Sequence, residues 1–194
     1  MPILAAETQL FPDDLLTSLA EPAAGASLED GLWQDRTWWV AHTKPRQEKS
    51  LARDLEEQKI AFYLPQVPKT SVIRGRTRTA HIPLFSSYLF IFGNELDRYT
   101  SMTTNRIAQV MNVADPQELT RQLLSLSRLV AAGAPLTVES RLKTGDRVRV
   151  KSGALAGVEG TVVARRRKCR LIVAVNLIQQ GVSIEIDDHL LDPI

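Results

Sequence analysis

The chain of 194 residues carries one cysteine, Cys169, which excludes an internal disulfide framework and any cysteine-based zinc cluster. No apolar run approaches the roughly 18 residues that a membrane-spanning helix needs. Residues 1–10 lack the basic start of a secretory signal, so the expectation is a cytoplasmic protein without a membrane partner. The three histidines, His42, His81 and His189, stand apart from any matching cysteine or carboxylate pattern. There is no glycine-rich phosphate loop and no metal-ligand spacing, so neither an enzyme nor a cofactor or metal is expected. What the chain does have is an apolar fraction of 44%, enough for a real core in one large domain or two small ones.

The formal charge of +2 conceals an asymmetry. Residues 1–37 hold seven acidic side chains against Arg36 alone, a net of −6, and the remainder is therefore +8. Ten Lys or Arg lie between Arg141 and Arg170, opposed by Asp146 and Glu159. Such a block suits a polyanionic partner or a solvated basic face. The acidic, Ala- and Pro-rich residues 1–36 predict a flexible extension with one short helix near Asp13–Leu19.

The longest apolar and aromatic run, IPLFSSYLFIF over 82–92, is opened by a proline and closed by Gly93. It has the length of a strand, and its all-apolar end predicts a central strand covered on both faces, or one with a face kept for docking. Before it, Trp38–Thr43 reads as a strand, and a helix is expected from Pro45 to Ile60. A short strand over 61–64 follows, with Pro65 and Pro68 confining it to an edge or a break. A hairpin turns at Arg74-Gly75-Arg76. Beyond the run come a loop at 94–97, a short helix or turn within 96–104, and a strand over 108–113. Asp115 and Glu118 then predict a capping box on a helix that ends at Gly133. After a linker at 134–141 the pattern becomes closely spaced strands, a small barrel with Gly153, Gly157 and Gly160 between them.

Trp38-Trp39-Val40, the helix after Lys44-Pro45, the Arg-Gly-Arg hairpin, the Pro-Leu-Phe-x-x-Tyr-Leu-Phe run and a Gly-Asp-Arg-Val-Arg-Val…Gly157-x-x-Gly160 barrel occur in that order. The combination resembles the NusG family of transcription elongation factors, and among them the specialised RfaH-like paralogues. The resemblance implies an α+β fold. An N-terminal NGN α/β sandwich, an antiparallel sheet flanked by helices, would span 37–133, and a small SH3-like KOW β-barrel 142–194. It also implies a monomer that binds the clamp helices of the largest RNA polymerase subunit and suppresses pausing or termination. The KOW domain would recruit a small-subunit ribosomal protein or Rho.

The polymerase-binding face implied by the resemblance maps onto His42, Leu84, Phe85, Tyr88 and Phe90, with Leu89 and Ile91 pointing to the opposite, core face. A second contact maps onto Thr100, Ser101 and Met102, without the family's leading His. Residues facing the non-template DNA map onto Lys44 and Arg74, with Arg76, Arg78 and Arg106 able to assist. Arg165, Arg166, Arg167 and Lys168 form the basic turn of the KOW domain, read as a solvated turn or as a partner contact. Two departures stand out. Ser86 and Ser87 replace the family's Pro and Gly or Asn, leaving that turn less fixed, and Asp54 and Glu57 occupy positions that read operator DNA in RfaH, where acids repel phosphate. The KOW segment is expected to be β-structured from the start, not a helical hairpin, because its many β-branched residues and three glycines disfavour a helix. The competing function is a ribosome-associated, KOW-type RNA-binding protein. It would account for Arg165–Arg170 but not for the central run.

Overall fold

In a computed structural model the described residues are 8–20, 33–73, 75–133, 136–139, 145–165 and 168–194. The chain forms two compact units, Met1–Ala114 and Asp115–Ile194.

The first unit is built on a five-stranded antiparallel sheet in the order β1-β3-β6-β2-β7. Its strands are β1 (Leu10–Phe11), β2 (Thr37–Thr43), β3 (Ala61–Tyr63), β6 (Tyr88–Gly93) and β7 (Ile107–Asn112). The apolar run supplies β6, which lies in the middle with β3 on one side and β2 on the other. The run's first two residues, Ile82 and Pro83, end the preceding strand, residues 84–87 turn, and only its second half forms β6. On one face Trp39, Ala41, Phe62, Leu64, Leu89 and Ile91 pack against Leu51, Ala52 and Leu55 of helix α2 (Glu48–Glu57). On the other face the register pairs His42 with Tyr88, Val40 with Phe90 and Trp38 with Phe92. Trp33 meets Phe92 edge-on at 5.2 Å.

Helix α2 begins three residues later than the sequence predicts. Arg46 takes a positive φ of 62°, which breaks the helical path, and Gln47 becomes the N-cap. Helix α3 (Glu95–Thr103) begins inside the expected loop. Asn94 caps it by accepting from the Asp97 amide, while the Asp97 carboxylate accepts from the Asn94 amide, so two otherwise orphaned donors are satisfied. Residues 66–83 form a separate two-stranded ribbon, β4 (Gln66–Ile73) and β5 (Arg76–Pro83).

The described part of the expected flexible extension is instead folded into this unit. Strand β1 pairs with β3, and the Gln9 carbonyl accepts from the Leu64 amide at 2.7 Å. Helix α1 (Leu15–Ala20) stands where a short helix is expected and buries Leu15, Leu16 and Leu19. Strand β3 is therefore not an edge strand, because β1 covers its free side.

The second unit opens with helix α4 (Pro116–Ala131), capped by Asp115, whose carboxylate accepts from the Glu118 amide at 2.8 Å. The reciprocal half of the expected capping box is replaced, since the Glu118 carboxylate instead accepts from Arg121 and Gln122. Strands β8 (Thr137–Glu139), β9 (Asp146–Val150), β10 (Glu159–Arg165), β11 (Lys168–Val175), β12 (Gln180–Ile186) and β13 (Leu191–Pro193) form one antiparallel sheet, ordered β13-β9-β10-β11-β12-β8. Val148, Val150, Leu171, Val173, Val175, Val182 and Ile184 are buried in it. This is the small β-structured module expected, with strands where a helical hairpin would otherwise lie. Helix α4 lies against it: Gln122 Oε1 accepts from the Asn176 amide at 3.1 Å, and the Arg128 guanidinium donates to the Gly157 carbonyl. The helix expected to close the NGN domain is thus part of the second compact unit.

Candidate interaction surfaces

Strand alternation puts His42, Tyr88 and Phe90 on one face, but exposure falls steeply along it. Tyr88 and His42 are half-buried at the end of their strands, with ring centroids 5.1 Å apart. Phe90 is 0% exposed and stacks on Tyr63, Phe85 is 1% exposed and Leu84 is 5% exposed. Three of the five residues expected to grip a partner are therefore core: Leu84 and Phe85 are buried in the turn at 84–87, and Phe90 stacks on Tyr63 within the sheet. The rim that a partner can touch is His42 with Tyr88. Strand β2 changes register against β7 between His42 and Thr43, a bulge of the kind that re-aims side chains at a functional edge.

The Ser86-Ser87 turn beside this rim is held from outside itself. Ser87 adopts φ 65°, donates its amide to Glu48 Oε1 at 2.7 Å and accepts from the Thr43 amide at 2.8 Å. Glu48 is 7% exposed for a charged residue, which marks it as a tertiary tie. Sequence reasoning missed it because a first-turn acid on a helix already has an ordinary explanation in the helix dipole.

On α3, Ser101 is fully buried and its hydroxyl donates to the Asp97 carbonyl, so it presents nothing to a partner. Thr100 is half-buried. The exposed side of this helix is Leu96, Tyr99 and Met102, at 69%, 65% and 47%. Their spacing of three was the available signal, since residues three apart share a helix face.

The expected cations divide into three groups. Arg106 is engaged: its guanidinium bonds the Asp54 carboxylate and Gln47 Oε1 (2.7 Å), and the hydrogen bond to Asp54 raises its pKa further. Lys44 is exposed and donates to Asn105 Oδ1 at 2.8 Å, a neutral partner that leaves its charge uncompensated. Arg76 and Arg78 are exposed on β5. Arg74 lies outside the described residues, as do Arg166 and Arg167. Arg165 and Lys168 are the last register pair of β10 and β11. The second unit also holds an open cavity of about 440 Å³ among Val150, Leu155, Ile186, Leu190, Glu185 and Asp187, which no sequence signal had marked. Among the described residues no cluster of His, Cys, Asp and Glu could hold a metal, and no helix is long and apolar enough to cross a membrane.

Comparison with known proteins gives a family match over residues 36–139, to the model described as NusG, transcription termination factor. A solved structure titled "Domain interaction in Thermotoga maritima NusG" is similar at 16% identity, covering 84% of this chain and 99% of that one, with a TM-score of 0.43. A second, titled as an MjSpt4:Spt5 complex, shows 14% identity over 81% of this chain and 96% of that one, with a TM-score of 0.28. Kelch-like protein 35 from Homo sapiens is 27% identical over 92 residues, 45% of this chain. The chain spans 16% of that relative's length.

Proposed function

Since the chain belongs to the NusG family, we propose that it is a transcription elongation factor that binds RNA polymerase through its first unit and suppresses pausing or termination. The observation that carries this reading is the family match itself. It runs through four of the five strands, β3, β6, β2 and β7, of the sheet that presents the half-buried His42–Tyr88 rim at its accessible end. An aromatic pair with one apolar side and one polar tip is the kind of anchor that protein interfaces favour. Leu84, Phe85 and Phe90 support that rim from beneath and do not touch the partner. The exposed Leu96, Tyr99 and Met102 on α3 are a second contact for the polymerase, in place of Ser101.

In this reading the second unit recruits a further factor, such as a ribosomal protein or Rho, through the basic stretch Arg165 to Lys168 or its open cavity. The protein acts by binding and performs no chemistry. The barrel-only reading, a ribosome-associated RNA-binding protein, accounts for the second unit but leaves the match over the first sheet without a purpose.

Affinity purification of the tagged chain tests the proposal. RNA polymerase subunits are expected among the captured proteins, with loss on His42→Ala together with Tyr88→Ala. Capture of ribosomal subunits with no polymerase would overturn it. Phe85→Ala is not a suitable probe, because emptying a buried aromatic site costs about 3–5 kcal/mol and would report on folding.

A further inference from the structure

The direction in which Tyr88 meets His42 is set by the residue before it. Ser87 ends the turn at 84–87 with φ 65°, and nothing in the pair Ser86-Ser87 favours that conformation locally. A proline would fix one φ of the turn, and a glycine would reach a positive φ without steric cost, but serine does neither. The conformation must be supplied by partners. Whatever holds Ser87 also holds the start of β6, and with it the Tyr88 ring, whose centroid lies 5.1 Å from that of His42.

The partners lead back to one helix. Glu48, the first residue of α2, accepts from the Ser87 amide through Oε1 at 2.7 Å, a charge-assisted bond in a buried place. On the other side of the same residue, the Ser87 carbonyl accepts from the amide of Thr43, which follows His42, at 2.8 Å. The next amide of the chain, Lys44, donates to the Arg106 carbonyl at 2.8 Å, and the Arg106 guanidinium reaches Gln47 and Asp54 of α2. Glu48 therefore holds the residue before β6, and Gln47 the residue before β7, the two strands that flank His42 on β2. Gln47 is the N-cap of α2 but makes no side-chain cap hydrogen bond. The start of this helix is turned away from its own amides and onto the strands beside the rim.

We propose that Glu48 is a positioning residue for polymerase recognition: acting through the Ser87 amide, its carboxylate holds Tyr88 against His42 in the arrangement that the polymerase binds. Glu48 touches no partner itself. The inference deepens the function proposed above and rests on it. Without the tie the turn populates other conformations, and the apparent affinity falls in proportion to the fraction that stays competent. Losing the partner of one buried amide corresponds to a fall of about tenfold.

The test is titration of core RNA polymerase with the full-length chain and its variants, read beside amide hydrogen exchange of the free chain. Glu48→Ala should bind polymerase about tenfold more weakly and exchange faster at the Ser87 and Tyr88 amides. Glu48→Gln, whose side-chain oxygen can accept the same bond, should recover most of both. Leu16→Val, a core truncation on α1, should lower the unfolding midpoint while leaving affinity and exchange at the turn unchanged. Equal affinity of the folded Glu48→Ala chain and the wild type would overturn the proposal. An equal loss in Leu16→Val would also overturn it, since affinity would then follow stability. Failure of Glu48→Gln to restore binding would do the same, since the acceptor would then not be what positions the rim. A wild-type chain that does not bind polymerase strikes the proposed function and this inference with it. Loss of affinity confined to the His42→Ala, Tyr88→Ala variant strikes this inference alone.

Discussion

Ser87 shows how a residue can hold an unfavourable conformation through distant partners. A non-glycine residue at φ 65° sits in a region that L-residues avoid at a cost of about 1–2 kcal/mol. Here a buried carboxylate on Glu48 and the Thr43 backbone fix it in place. Sequence reading finds that turn less constrained than a proline would make it, because the tie lies 39 residues away and leaves no local pattern. Glu48→Ala is expected to leave the Ser87 amide without its partner and to cost about 1–3 kcal/mol, read as a lower midpoint in urea. An unchanged midpoint would show that the turn holds itself. Arg106 teaches the same lesson about charge. Its neutralisation by Asp54, 52 residues away, cannot be seen from spacing, whereas the exposure of Arg76 and Arg78 follows from a strand alternating with polar residues.

At the scale of elements, strands and helices with strong periodicity were legible: β2, α2, β6, α4 and β9 to β12 stand where the pattern puts them, to within a few residues, whereas β8 pairs with β12 inside the expected linker at 134–141 and β13 lies beyond the last expected strand. Strand β1 was not legible, because two residues carry no period and its signal is the unpaired edge of β3. An open edge is a template for unwanted pairing, and β1 covers this one. The acidic composition of the segment concealed Leu15, Leu16 and Leu19, which are each 3% exposed or less. Leu16→Ala is predicted to cost about 2–5 kcal/mol of stability, measured by chemical denaturation. A loss under about 0.5 kcal/mol would mean that α1 adds little to the fold. The proposed docking face was legible as a strand face but not in its depth. Alternation assigns Phe90 to the side of Tyr88, but it cannot say that the turn at 84–87 leaves only the strand end accessible.

For the whole molecule, the proposed function divides the tasks between two units: a sheet rim for the polymerase and a β-structured second unit for a further factor. The central claim is that polymerase recognition runs through the His42–Tyr88 rim. It is tested most directly by titrating purified core RNA polymerase with the full-length chain and with the His42→Ala, Tyr88→Ala double variant, whose fold is checked by its unfolding midpoint. Truncating aromatic anchors at the centre of an interface costs about 2 kcal/mol or more, so the variant is predicted to bind about 30-fold more weakly or worse. Equal affinity of the folded variant and the wild type would contradict that claim.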